Sequence, residues 1–128
     1  TKITYRAGDQ PNNALALAVV NPGQVAATGG TSGVVYGVTK SKDIKEMTRI
    51  NSFAHVTYNN NNQILGKLLN INGAGIQYSW LKKILRIDSY ELMNKMSEEI
   101  PIGSDNLQVF PFGNGSERIF ENKIFHSK

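Results

Sequence analysis

Gln24-Val25-Ala26-Ala27-Thr28-Gly29-Gly30-Thr31-Ser32-Gly33-Val34-Val35-Tyr36-Gly37-Val38-Thr39 is the stretch from which the architecture can be read outward. Two β-prone runs, 24–28 and 34–39, flank a short link of glycines and hydroxyl residues. Glycine tolerates the backbone angles of a tight reversal, so the pattern predicts an antiparallel hairpin. A second hairpin is expected further on. Residues 53–58 alternate in polarity, Asn59-Asn60-Asn61-Asn62 is a polar turn, and 63–70 form the returning strand.

On the N-terminal side, residues 3–5 are β-prone and Ala7-Gly8-Asp9-Gln10-Pro11 reads as a turn. The fixed φ of Pro11 suits the first position of a helix. The Ala/Leu-rich residues 12–20 supply that helix, and Asn21-Pro22-Gly23 ends it. Residues 41–49 are polar and suggest one helical turn. On the C-terminal side, Ile76, Trp80, Leu81, Ile84 and Leu85 form a stripe that predicts an amphipathic helix over 73–87. Trp80 on that stripe is expected in the core. Ser89 is a candidate N-cap for a helix over 89–100, which Pro101 stops. Residues 107–110 read as a short apolar strand. The order of strand, helix, two hairpins, two helices and strand is an α/β (α+β) arrangement with a mixed sheet containing antiparallel pairs.

The 128 residues fit one domain, and 40% hydrophobic content permits a modest core. The absence of cysteine excludes disulfides, zinc–thiolate sites and Cys nucleophiles, and agrees with a cytoplasmic setting. No apolar run approaches the roughly 20 residues that span a bilayer, so no membrane partner is expected. The N-terminus has neither the apolar segment of a signal peptide nor a starting Met. The net charge is +4, but the lysines are scattered, without a basic run interleaved with aromatics, so no nucleic-acid partner is expected. His55 and His126 do not form a metal cluster, and His55 reads as structural within its strand. No metal-binding residue is assigned.

Four constellations suit chemistry, each with a plainer alternative. Asp9, beside Gly8 and Gln10 at a strand-to-helix junction, is placed for a general base, or else is a turn residue or helix cap. The link with Gly30, Thr31 and Ser32 offers N–H groups and hydroxyls to an anion, or is an ordinary turn; it is not a Walker A loop. Asn72-Gly73-Ala74-Gly75-Ile76-Gln77, at a helix start, offers free N–H groups to a phosphate, or packs closely through glycine. Gly113-Asn114-Gly115-Ser116-Glu117-Arg118 is a buried ion-paired turn or a ligand loop, or is simply exposed.

The order of these segments is more specific than any one of them. Ala-Gly-Asp-Gln, then Gly-Gly-Thr-Ser-Gly-Val, then Gly-Ala-Gly-Ile-Gln-Tyr-Ser-Trp-Leu, then Phe-Pro-Phe-Gly-Asn-Gly-Ser-Glu-Arg resembles the FGGY carbohydrate kinases, the xylulose kinases in particular. The likeness runs over roughly residues 3–123. It implies part of a ribonuclease-H-like, actin-like ATPase domain. Residues 1–128 would then be an incomplete C-terminal, nucleotide-binding domain, without the N-terminal sugar-binding domain or the downstream adenosine motif. By the same resemblance Asp9 is the catalytic base, Asp9 and Gln10 contact the sugar, and Gly30, Thr31, Ser32, Gly73 and Gln77 contact the nucleotide. Ser116-Glu117-Arg118 matches a motif near the cleft.

The implied cofactors are ATP and Mg²⁺, and the implied reaction is phosphorylation of D-xylulose to D-xylulose 5-phosphate. Gluconate, ribulose, L-xylulose or glycerol is an alternative acceptor, and a non-catalytic actin-like binding domain is an alternative class. The parent enzyme is expected to be a homodimer, and this chain alone is expected to be inactive. Two departures stand out: Pro11-Asn12-Asn13 replaces the family's small residues after the Asp, and residues 124–128 no longer resemble it.

Overall fold

The glycine-rich hairpin forms as the sequence predicts and seeds a four-stranded antiparallel sheet. The computed structural model describes residues 2, 8–40, 45–112 and 114–124. Strands β1 (Val25–Gly29) and β2 (Gly33–Lys40) pair from Gly29↔Gly33 outward, and β3 (Asn51–Ala54) pairs with β4 (Ile64–Ile71). The order is β1-β2-β4-β3, so β4 inserts next to β2 and β3 is left at the edge. Every strand pair among the described residues is antiparallel, so the mixed sheet expected from the sequence is not seen there. The expected strand at 3–5 and His126 lie outside the described residues.

Alternation along β2 decides which face is core. Val34, Tyr36 and Val38 are buried, and their partners Ala26, Leu68 and Gly66 share that face. Helix α1 (Asp9–Ala16) covers it with Ala14, and Val19 and Ile64 complete the cluster. Gly66 is required here, because a Cβ would overlap the phenol of Tyr36. Burial pushes the Tyr36 hydroxyl above its usual pKa, and that hydroxyl has no hydrogen-bond partner among the described residues.

Helix α1 begins and ends earlier than the sequence suggests. Asp9 and Gln10 are helical rather than a turn, and Pro11 is the third helical residue, still in the first turn where its missing N–H costs little. The helix stops at Ala16 in a Schellman motif. Val19 N–H donates to Ala14 O at 2.9 Å, Ala18 N–H donates to Leu15 O at 2.9 Å, and Ala18 takes φ 57°. Alanine promotes helix and so hides this stop. The second helix, α2 (Gly75–Ile84), ends the same way, with Arg86 at φ 52° and Ile87 N–H donating to Lys82 O at 3.2 Å.

Helix α3 (Tyr90–Glu98) has the expected cap, Ser89 Oγ accepting the Leu92 N–H at 3.1 Å. It folds back on α2 through stacked Tyr78 and Tyr90 rings and a Tyr78 hydroxyl–Asn94 hydrogen bond. Trp80 is not in the core: it is 54% exposed, and α2 has no buried residue.

The strand expected over 53–58 ends at Ala54; His55 N–H makes one more bond to Ile64 O at 3.0 Å before the chain turns at 56–57. His55 is buried, its Nε2–H donates to Val19 O (3.2 Å), and its Nδ1 accepts from the Thr57 N–H (3.3 Å). It thereby ties the exit of α1 to the β3–β4 turn. Residues 45–49 form no helix; they wrap around Glu46 instead. Residues 107–110 are not a strand. Beyond them, β5 (Ser116–Glu117) and β6 (Lys123–Ile124) form a small separate ladder.

Candidate functional site

At the Gly33/Ile71 end of the sheet, three distant segments meet. The β1–β2 link is closed at its tip by Gly30 N–H donating to Ser32 O at 3.0 Å. The start of α2 docks against it: Gly75 N–H donates to Gly30 O (2.9 Å) and Ile76 N–H to Thr31 O (3.1 Å). A Cβ on Gly75 would overlap the Gly30 carbonyl, and one on Gly33 would press on Ala74. Behind α2, Gly73 lies so close to the Pro111 carbonyl that it too admits no side chain.

The glycines of 72–77 therefore serve close packing, and the N–H groups of Gly75 and Ile76 are taken by the hairpin link rather than held open for an anion. The Thr31 and Ser32 N–H groups take no backbone carbonyl among the described residues. Thr31 is exposed and Ser32 half-buried, so the tip that carries these N–H groups and hydroxyls is open to solvent. Such a donor set suits an anion, not a cation.

The third segment supplies a buried acid. Glu117 is fully buried, and both its carboxylate oxygens accept the Asn72 N–H, at 3.2 and 3.3 Å. Asn72 in turn donates from Nδ2 to Ser116 O at 2.7 Å, and its Oδ1 accepts from Asn70 Nδ2 at 2.9 Å. Nothing in the local sequence announces this clamp, because its halves are 45 residues apart. Of the three alternatives for Glu117 and Arg118, the ion-paired turn is not seen among the described residues. Among the described residues the ion pair is Arg49–Glu46, and Arg118 Nε is buried without a partner.

The candidate nucleotide contacts Gly30, Thr31, Ser32 and Gly73 thus fall in one connected cluster. Gln77, one turn into α2, lines an adjoining groove of about 490 Å³ with Trp80, Leu81 and Val109. Asp9 and Gln10 are placed differently. They open α1, with Asp9 exposed and Gln10 Nε2 donating to Asp9 Oδ2 at 3.4 Å, and no hydrogen bond ties either to the cluster. Among the described residues no three of His, Asp and Glu converge as metal ligands, and no helix is long and apolar enough to cross a membrane.

The chain is similar to a gluconokinase. That protein, from Bacillus licheniformis, is 26% identical over 123 residues, an alignment covering 88% of this chain and 23% of the relative. The chain thus spans under a quarter of that relative's length. No family model matches the chain, and no solved structure does.

Proposed function

We propose that this chain forms the phosphate-binding side of a kinase that transfers the γ-phosphoryl group of ATP to a sugar hydroxyl. The observation that carries the reading is the β1–β2 link seated on the start of α2, with the Thr31 and Ser32 N–H groups taken by no backbone carbonyl among the described residues. Phosphoryl transfer depends on positioning and on neutralising charge, and a glycine-lined tip of N–H and hydroxyl donors suits that task. The similarity to a gluconokinase supports the same class of reaction.

In this reading the Asp9 carboxylate takes the proton of the acceptor hydroxyl as that oxygen bonds to the γ-phosphorus. The bond to the β-phosphate oxygen breaks, and ADP leaves. Gln10 lies beside Asp9 to bind the sugar, Gln77 lines the groove toward the rest of the nucleotide, and Gly73, packed on the Pro111 carbonyl, supports the start of α2 behind it. Mg²⁺ would ride on the oxygens of ATP and water. The fold implied is one part of an actin-like ATPase lobe within an FGGY-type kinase. The similarity to a gluconokinase favours gluconate over D-xylulose as acceptor.

The test is ADP release by the protein carrying this chain, given Mg-ATP and either gluconate, D-xylulose, L-xylulose, ribulose or glycerol. Gluconate is expected to turn over fastest. Asp9→Asn should lower kcat about a thousand-fold with an unchanged melting curve. No turnover on any acceptor, or a near-native rate in Asp9→Asn, removes the reading.

A further inference from the structure

The buried carboxylate of Glu117 has no role in the chemistry above, yet it stands behind the segment on which the phosphate loop rests. Its two oxygens share the Asn72 N–H. Asn72 leads through Gly73, pressed on the Pro111 carbonyl, to Gly75 and Ile76. Those two residues donate to Gly30 O and Thr31 O. A continuous path of hydrogen bonds and close backbone contact therefore runs from Glu117 to the tip carrying Thr31 and Ser32. Asn72 Nδ2 to Ser116 O, and Asn114 Nδ2 to Asn72 O at 3.5 Å, brace the same turn from the Glu117 side.

We infer that Glu117 is a positioning residue: through the Asn72 N–H it fixes the start of α2, and through Gly75 and Ile76 it fixes the loop that holds the nucleotide's phosphates. The inference rests on the phosphate-binding reading of that loop. A fully buried carboxylate is costly unless its acceptor capacity is used, and among the described residues the hydrogen bond that uses it is the Asn72 N–H shared between its two oxygens. Because the N–H belongs to the residue that precedes the closely packed glycines, movement of the carboxylate is transmitted to the backbone rather than absorbed by a flexible side chain. Glu117 touches no substrate in this account.

The position makes an unusual electrostatic prediction. Removing a negative charge from the neighbourhood of an anion site should, by Coulomb's law alone, tighten anion binding. Loss of positioning should weaken it. The experiment compares the unsubstituted protein carrying this chain with Glu117→Gln, which keeps the shape and one acceptor, and with Glu117→Ala. Two quantities are measured: amide hydrogen exchange at Gly75 and Ile76, with Val38 in the core as reference, and the Kd for tripolyphosphate.

The expected result is exchange at Gly75 and Ile76 faster by about ten-fold in Glu117→Ala and by less in Glu117→Gln, with Val38 unchanged. Tripolyphosphate should bind more weakly in the same order. Unchanged exchange at Gly75 and Ile76, equal acceleration at Val38, or tighter tripolyphosphate binding in Glu117→Gln overturns the inference. If the unsubstituted protein takes no tripolyphosphate although the exchange effect is local, the phosphate reading itself fails, and Glu117 is then only a brace for the fold.

Discussion

Helices α1 and α2 both carry apolar residues at helical spacing, and both end in a Schellman motif with a non-glycine residue in the left-handed region. Their surroundings differ. Helix α1 buries Pro11 and Ala14 against β2, where the small Ala14 lets the helix approach Tyr36 and Val38. Helix α2 is fixed at its start by the hairpin link and buries none of its residues; Trp80, Ile84 and Leu85 are each more than half exposed. Periodicity thus sets which side of a helix is apolar, but burial depends on a second surface being there to meet it.

The sharpest way to break this comparison is a pair of aromatic truncations. Tyr36 is 1% exposed and Trp80 is 54% exposed. Tyr36→Ala should cost about 4 kcal/mol of unfolding free energy through lost burial and a cavity. Trp80→Ala should cost about 0.5 kcal/mol or less. Urea denaturation of both variants checks the difference. Equal losses would mean that the α2 face is as much a core as the α1 face.

A smaller effect sharpens the likeness between the helix ends. Ala18 sits at φ 57°, where a Cβ is disfavoured, so Ala18→Gly should stabilise the chain by about 1 kcal/mol, read as a raised denaturation midpoint. A fall in the midpoint would show that the motif does not control the exit of α1.

The smallest effect lies away from both helices. The Glu46 carboxylate is held well below the usual carboxylate range, first by the Arg49 backbone N–H, then by the Arg49 side chain and by Thr48. Because the folded pKa is depressed, this contribution is fully present above the usual glutamate pKa of about 4.3 and fades as pH falls below it toward the folded value. Glu46 is half-buried and its partner Arg49 is exposed, so the pair lies at the surface and its contribution is small and screened by salt. Following the Thr48 and Arg49 amide shifts from pH 7 to pH 2 checks it. Loss of the turn should occur below pH 4, and Glu46→Gln should abolish the titration.

Much of the sheet was legible because its signals are local. β-prone runs marked β1 and β2, glycines marked the hairpin link, the Asn59–Asn62 turn marked the return into β4, and Ser89 marked the start of α3. The stop of α1 was not legible, because Ala18 in the left-handed region carries no compositional mark. The end of β3 was missed because the alternation runs on past His55, whereas the chain turns at 56–57 with the His55 side chain held by Val19 O. The candidate phosphate loop could be named from Gly30, Thr31 and Ser32. Its seat on Gly75 and Ile76 could not, nor could the Asn72–Glu117 clamp, since both join segments separated by more than 40 residues.

The sequence by itself determined the hairpins, the existence of three helices and the run of glycines and hydroxyl residues suited to an anion, because turn chemistry and periodicity act over a few residues. Only the tertiary structure decided that β4 lies between β2 and β3, that α1 rather than α2 closes the core, and that the amides of Gly75 and Ile76 serve the loop instead of a ligand. Those outcomes depend on which surfaces and unpaired backbone groups meet across the chain, and each N–H goes to the acceptor that packing brings within reach.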